Sequence, residues 1–267
     1  MPDAKPLLVV EGLGKSYRGI PAVADLSFAV AEHSITGLIG PNGSGKSTTL
    51  DCLTGFQRAD GGKWSLGGVA LAGRALHEVA KAGMTRTFQA VRVYEEMTLL
   101  ENLQVAAGSF DGTSWADQFF RTKRWQSAED AAIARARELI DLVGLTKHTH
   151  SVASVLSYGQ RKLLQIGAAM MARPRLIMLD EPVAGVNPTM IRHIQDLIRK
   201  LRDSGTTFVI VEHNVDFIVS LCDRVIVLDL GRKLAEGPPS IIREDQRVLS
   251  AYIGTGRKRK AQDAARA

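Results

Sequence analysis

Hydrophobic and polar positions fall into three patterns along the chain. Near the start, LLVVEGL (Leu7–Leu13) and PAVADLSFAV (Pro21–Val30) alternate incompletely, with Val23, Leu26, Phe28 and Val30 on one side. Such spacing predicts strands with one buried face. SITGLIG (Ser34–Gly40) is a compact apolar run that reads as a buried strand,. GFQRADGGKWSLGGVALAG (Gly55–Gly73) breaks into short apolar pieces between glycines, which predicts a hairpin,. The middle of the chain follows a helical period. Ile133, Ala136, Ile140 and Val143 lie on one face of a helix that opens near SAED, Ser127–Asp130, and closes at Gly144,. From Arg175 the pattern changes again: RLIMLD, TTFVIVEH and DRVIVLDLG are continuous apolar runs, as expected for strands covered on both faces,. Between the first two, PTMIRHIQDLIRKLRDSG carries Ile191, Ile194, Ile198 and Leu201 as a buried stripe ended by Gly205,. These elements predict a largely parallel α/β core, with a helical lobe inserted before RLIMLD.

Composition narrows the class. With 267 residues and 45% apolar content, the chain can bury one large domain, or one domain with a lobe,. Cys52 and Cys222 stand 170 positions apart without metal-ligand spacing, so two reduced core thiols are expected,. No secretory leader is read at the start, and no apolar run approaches the roughly 18 residues that would span a bilayer,. A soluble or peripheral protein is the expectation. The net charge is +6, of which +4 falls in the final RKRKAQDAARA. That tail could lean on an anionic membrane at about 1 kcal/mol per well-placed basic residue, or touch nucleic acid. A solvated end without a specific partner is the expected reading. GSFDGTSWADQFFRTKRWQ, near Trp115, reads as an inserted loop whose aromatics form a local packing cluster,.

The chemistry begins at LIGPNGSGKSTTL, Leu38–Leu50, which fits the phosphate-binding pattern G-x-x-x-x-G-K-[ST] between a strand and a helix,. Gly40, Pro41, Asn42, Gly43, Ser44, Gly45, Lys46, Ser47 and Thr48 are the candidate nucleotide-binding residues. Glycines let backbone N–H groups turn toward a phosphate, Lys46 reaches the outer phosphates, and Ser47 offers its hydroxyl to Mg2+. Farther on, LIMLDEP delivers Asp180 and Glu181 to a strand end, where ligands bind in open α/β sheets,. Asp180 suits Mg2+, and Glu181 suits proton abstraction from an attacking water. In VLSYGQRKLLQIGAAMMARP, Ser157 and Gln160 have the spacing of a capping box, which accounts for the pattern without any ligand,. Gly159 within that first turn costs helix stability and leaves backbone N–H groups open to a close anion.

The last segment is similar to the LSGGQ signature of ABC-type ATPases, and lies 23 residues before Asp180, where that family has it. The resemblance implies a P-loop ABC ATPase core of RecA-like α/β type, with an antiparallel β subdomain and an inserted helical subdomain. It spans about residues 7–254 as one domain, with the helical part in about 90–174, an insertion near 108–127, and a basic tail at 255–267. It further implies that Tyr17 stacks on adenine, that Gln89 senses Mg2+ and the attacking water, and that His213 stands near the γ-phosphate. Ser157, Tyr158, Gly159 and Gln160 would meet ATP held by a second ATPase subunit. Two positions depart from the pattern: Tyr158 stands where Gly is common, and Asn187 in AGVNP where Asp is common. Those departures, RTFQAVRVYEEMTLLENL and the ending VLSAYIG resemble the longer of two paired ATPases in branched-chain amino-acid importers. The implied cofactors are ATP and Mg2+. The implied partners are two polytopic permease subunits, a second ATPase subunit (a shorter homologue or the same chain), and an extracytoplasmic solute-binding protein. The implied location is the cytoplasmic face of the inner membrane, with no specific nucleic acid. The rival expectation is a soluble ABC ATPase acting on nucleic acid, ribosomes or protein assembly, disfavoured by a single cassette without a long coiled coil. A non-hydrolysing regulatory subunit is disfavoured because Glu181 and His213 are both present.

Overall fold

The computed structural model describes residues 5–107, 117, 119, 120 and 122–252. Two sheets organise them. The first is antiparallel, in the order β2-β1-β4-β5, from β1 (Pro6–Tyr17), β2 (Ile20–Ala31), β4 (Gly61–Leu66) and β5 (Val69–Ala70). The second has the order β10-β9-β3-β8-β7-β6, from β3 (Ile35–Ile39), β6 (Met84–Arg86), β7 (Leu176–Asp180), β8 (Thr207–Val211), β9 (Arg224–Asp229) and β10 (Arg232–Gly237). Its strands run parallel except β10, which folds back on β9. Every residue of β3, β7 and β8 is buried, as their continuous apolar runs require,.

Alternation decides which side each residue serves. Leu176, Met178, Val209 and Val211 pack toward the first sheet, with Leu8, Val10 and Leu26, and with Leu50 and Leu53 of α1 (Lys46–Leu53). Ile177, Leu179, Phe208 and Ile210 point the other way and join the helical side. There, α6 (Pro188–Asp203) contributes Ile194, Leu197, Ile198 and Leu201, so Leu197 takes a buried place where Ile191 was expected. Gly205 follows that helix at φ +105°, the left-handed turn that ends it,.

The helical lobe comprises α3 (Leu99–Ala106), α4 (Lys123–Leu142) and α5 (Tyr158–Met170). The α4 helix starts before the expected SAED opening, because the Thr122 side chain caps it by accepting from the Trp125 N–H at 3.3 Å,. Its buried residues are Ala136, Leu139 and Ile140, while Ile133 is half-buried. Short helices α2 (Leu76–Lys81), α7 (Val215–Leu221) and α8 (Pro239–Glu244) complete the order. Cys52 and Cys222 are free and buried, and burial pushes the Cys52 thiol up to about 11. Phe119 and Phe120 meet edge to face at 5.2 Å with both side chains exposed; Trp115, which the expected aromatic cluster also needs, and residues 255–267 lie outside the described residues. Among the described residues, no helix is long and apolar enough to cross a membrane.

Candidate nucleotide site

Sheet register assembles the site. Leu38 pairs with Val211, and Val211 pairs with Asp180, so the three strands β3, β8 and β7 end in line. The residues that follow them, Gly40–Gly45, Glu212–His213 and Glu181, therefore share one edge, the carboxyl end of a parallel sheet. A cavity of about 410 Å3 opens there, lined by Tyr17, Asn42, Gly43, Gly45, Lys46, Ser47, Thr48, Glu181 and His213 together with Ala22. That volume is of the size that holds small ligands.

The loop into α1 keeps a shape only glycine permits at its last turn. Gly45 has φ +101°, and a Cβ there would come within 2.4 Å of the Ala22 carbonyl,. Lys46 is buried, and its Nζ donates to the carbonyls of Gly40 and Pro41, both at 2.9 Å. Burial draws its pKa down, against the pull of the Glu181 and Asp180 carboxylates. The buried Ser44 hydroxyl has no hydrogen-bond partner, so the loop retains an unsatisfied polar atom,. Tyr17 ends β1 with its ring partly open and Lys15 Nζ 5.4 Å from its centroid.

Glu181 is the convergence point. Its backbone adopts φ +48°, a left-handed conformation costly for a non-glycine residue, and its N–H donates to Val211 at 2.8 Å,. Its carboxylate accepts from Gln89 Nε2 at 2.7 Å, and its Oε1 lies 2.9 Å from His213 Nε2. Gln89, outside the cavity lining, thus joins the site through Glu181. Asp180 is buried and paired at 2.7 Å with Arg86, which also pairs with Asp51 of α1. Among the described residues, no group of three or more His, Cys, Asp or Glu could hold a metal by itself. The exposed Ser47 and the Asp180 carboxylate beside a phosphate loop nonetheless suit Mg2+, which takes one or two protein oxygens together with substrate phosphates,.

The four signature residues do not line this cavity. Ser157 caps α5: its Oγ accepts from the Gln160 N–H at 3.3 Å, and Gln160 Oε1 accepts from the Ser157 N–H at 2.9 Å. Gly159 has a packing reason as well, since a Cβ would come within 2.6 Å of Met190 Cγ on α6. Tyr158 leaves its ring half exposed, with Lys162 Nζ 5.7 Å away. Asn187, where Asp is common, caps α6 by accepting from the Met190 N–H at 2.9 Å.

Four residues around the site escaped the sequence reading: Arg86, Lys162, Gln165 and Glu212. All are charged or amide side chains, and nothing local marks them as buried. Tyr252 belongs with them, since Gly40's backbone hydrogen-bonds its half-buried hydroxyl and burial draws its pKa up.

Comparison with known proteins identifies the family. Residues 23–184 match the model of the ABC transporter family, and residues 232–258 that of the branched-chain amino acid ATP-binding cassette transporter. The chain is 38% identical over 252 residues to the high-affinity branched-chain amino acid transport ATP-binding protein BraF of Pseudomonas aeruginosa, covering 94% of this chain and 99% of that protein. It is 37% identical, with the same coverage, to LivG of Escherichia coli. A crystal structure of an ABC transporter cassette in its ADP conformation superposes with a TM-score of 0.83 at 33% identity, covering 94% of this chain and all of that one. A nucleotide-free cassette gives 0.81 at 32%, covering 92% and 98%. With the family model matching residues 23–184 and relatives 37–38% identical over nearly the whole chain, the chain belongs to the ABC transporter ATP-binding family.

Proposed function

We propose that the chain is the ATP-hydrolysing subunit of a membrane importer for branched-chain amino acids or related small polar or amide solutes. The observation that carries this reading is the Glu181 carboxylate, which faces the phosphate-loop cavity while held by both Gln89 and His213. A carboxylate fixed from two sides beside a nucleotide cleft is suited to orient and deprotonate water. Relatives named for high-affinity branched-chain amino acid transport supply the solute class.

In this reading Tyr17 stacks on the adenine. The backbone from Gly40 through Gly45, with Pro41, Asn42, Gly43 and Ser44, wraps the phosphates, and Lys46, Ser47 and Thr48 close over them from α1. Ser47, Asp180 and Gln89 would hold Mg2+, which when bound would supply charge neutralisation at the phosphates. Glu181 takes the proton of the attacking water and His213 steadies the γ-phosphate end. Ser157, Tyr158, Gly159 and Gln160 stand apart from their own cavity, which supports their meeting ATP on a second ATPase subunit. That subunit is a shorter homologue or a second copy. Two polytopic permease subunits and an extracytoplasmic solute-binding protein complete the proposed assembly, seated on the cytoplasmic face of the inner membrane. Only the basic final segment speaks for a soluble relative acting on nucleic acid, ribosomes or protein assembly, against relatives that are transport ATP-binding proteins.

The test is Glu181→Gln. Loss of a general base costs about 10²- to 10⁴-fold, so the variant is expected to bind ATP and hydrolyse it at least about 100-fold more slowly. Near-normal turnover by a folded Glu181→Gln protein removes the base from Glu181.

A further inference from the structure

We infer that Lys162 and Glu212, two buried charges that line no part of the cleft, are the positioning residues that set Gln89, Glu181 and His213 for hydrolysis. Lys162 is 2% exposed and projects from the second turn of α5, five residues after the Ser157 cap. Its Nζ donates to the carbonyl of Gln89 at 2.8 Å and to that of Glu181 at 3.1 Å. One ammonium thus ties together the backbones of two residues whose side chains meet in the cleft. One turn farther along α5, Gln165 Nε2 donates to the carbonyls of Phe88 at 3.2 Å and Ala90 at 3.4 Å. The carbonyls of three successive residues around Gln89 are therefore held from a single helix face.

Glu212 does the complementary work from just beyond the end of β8. It is 3% exposed; its Oε1 accepts from the Val183 N–H at 2.9 Å, and its Oε2 from the N–H groups of His213 at 3.0 Å and Asn214 at 3.3 Å. Val183 lies two residues beyond Glu181, so Glu212 pins the loop leaving Glu181 to the loop carrying His213. Burial draws the Lys162 pKa down, and the carboxylates of Glu212, Glu181 and Asp180 draw it back up. Hydrogen bonds from an ionised donor are stronger than neutral ones, which suits a group that must hold Glu181 in a left-handed conformation,. Because Lys162 sits on the helix that Ser157 begins, the geometry of Glu181 depends on where that helix lies. The inference rests on the reading of Glu181 as the base.

The test compares Lys162→Met, Lys162→Arg, Glu212→Gln and Glu181→Gln in the full chain, with ATP turnover and nucleotide affinity measured separately. Misplacing a reacting group by about 1 Å can cost about 10²-fold, so Lys162→Met is expected to lose about 10- to 100-fold in kcat with affinity within about twofold. Lys162→Arg, which can still donate to both carbonyls, is expected to recover most of the rate. Glu212→Gln keeps the shape and should show the same split between rate and affinity, and it carries the test if Lys162→Met does not fold. A folded Lys162→Met or Glu212→Gln protein with wild-type kcat overturns the inference, as does a loss confined to affinity. Glu181→Gln separates the two readings: if it is inactive while Lys162→Met is normal, only the positioning role falls. If it turns over normally, the base assignment falls first.

Discussion

Lys46 illustrates how a single residue is set by its surroundings. It is buried, folded back on the loop carbonyls, and poised between the desolvation that weakens its charge and two carboxylates that support it,. A bound triphosphate offers that ammonium a stronger partner than two neutral carbonyls. Lys46→Ala is expected to lose nucleotide binding, and titration calorimetry that still gives micromolar affinity contradicts the role. A second check uses mass action. At nucleotide 100 times above its dissociation constant, wild type gains about 2.7 kcal/mol of stability, and Lys46→Ala should lose that nucleotide-dependent rise in melting temperature. Lys46 was legible in the sequence because its spacing from Gly40 and Gly45 is local. Lys162 was not, because its partners Gln89 and Glu181 lie 73 and 19 residues away, and a lysine on an apolar helix face looks like a solvated one. Arg86 was hidden for the same reason, its carboxylates Asp51 and Asp180 being 35 and 94 residues off.

At the scale of the element, α5 carries two roles in one turn. The reciprocal Ser157–Gln160 cap is what the spacing predicts, and it is formed. A cap explains stability but not why the same turn should matter to a second subunit, and one substitution separates the two. Ser157→Ala should cost about 0.5–2 kcal/mol of stability as a lost cap. If Ser157 also meets a partner's ATP, the variant in a Glu181→Gln background will fail to form the ATP-dependent dimer, read by size-exclusion chromatography at temperatures where both proteins are folded. Dimerisation undiminished by the change would reduce Ser157 to a cap. Periodicity located the buried face of α6; Leu197 lies on that same face three residues after Ile194, while Ile191, in the first turn, is only partly buried,. The start of α4 was missed by a different route: Thr122 is an ordinary capping residue in a polar stretch, and only its bond to Trp125 distinguishes it.

The whole molecule is an ABC transporter cassette whose candidate chemistry sits at one edge of its parallel sheet. Its cleft gathers one complete set of phosphate-loop and carboxylate groups, while its signature residues face elsewhere. Affinity capture of Glu181→Gln with ATP from detergent-solubilised host membranes is therefore expected to recover two polytopic membrane proteins and a second ATPase subunit. Recovery of only ribosomes, nucleic acid or soluble assembly factors would reverse the transport reading and leave the ATPase reading standing. The sequence by itself determined the phosphate loop, the acidic strand end, the helix cap and the parallel strands, because each depends on residues within a few positions of one another and on a hydrophobic period. Tertiary structure alone decided the in-line register of Leu38, Val211 and Asp180, the grip of Gln89 and His213 on Glu181, and the burial of Lys162 and Glu212 beneath them. Those contacts join segments tens of residues apart. Taking those charges and backbone carbonyls out of water costs free energy that only their hydrogen bonds to one another offset, and no local pattern records that pairing.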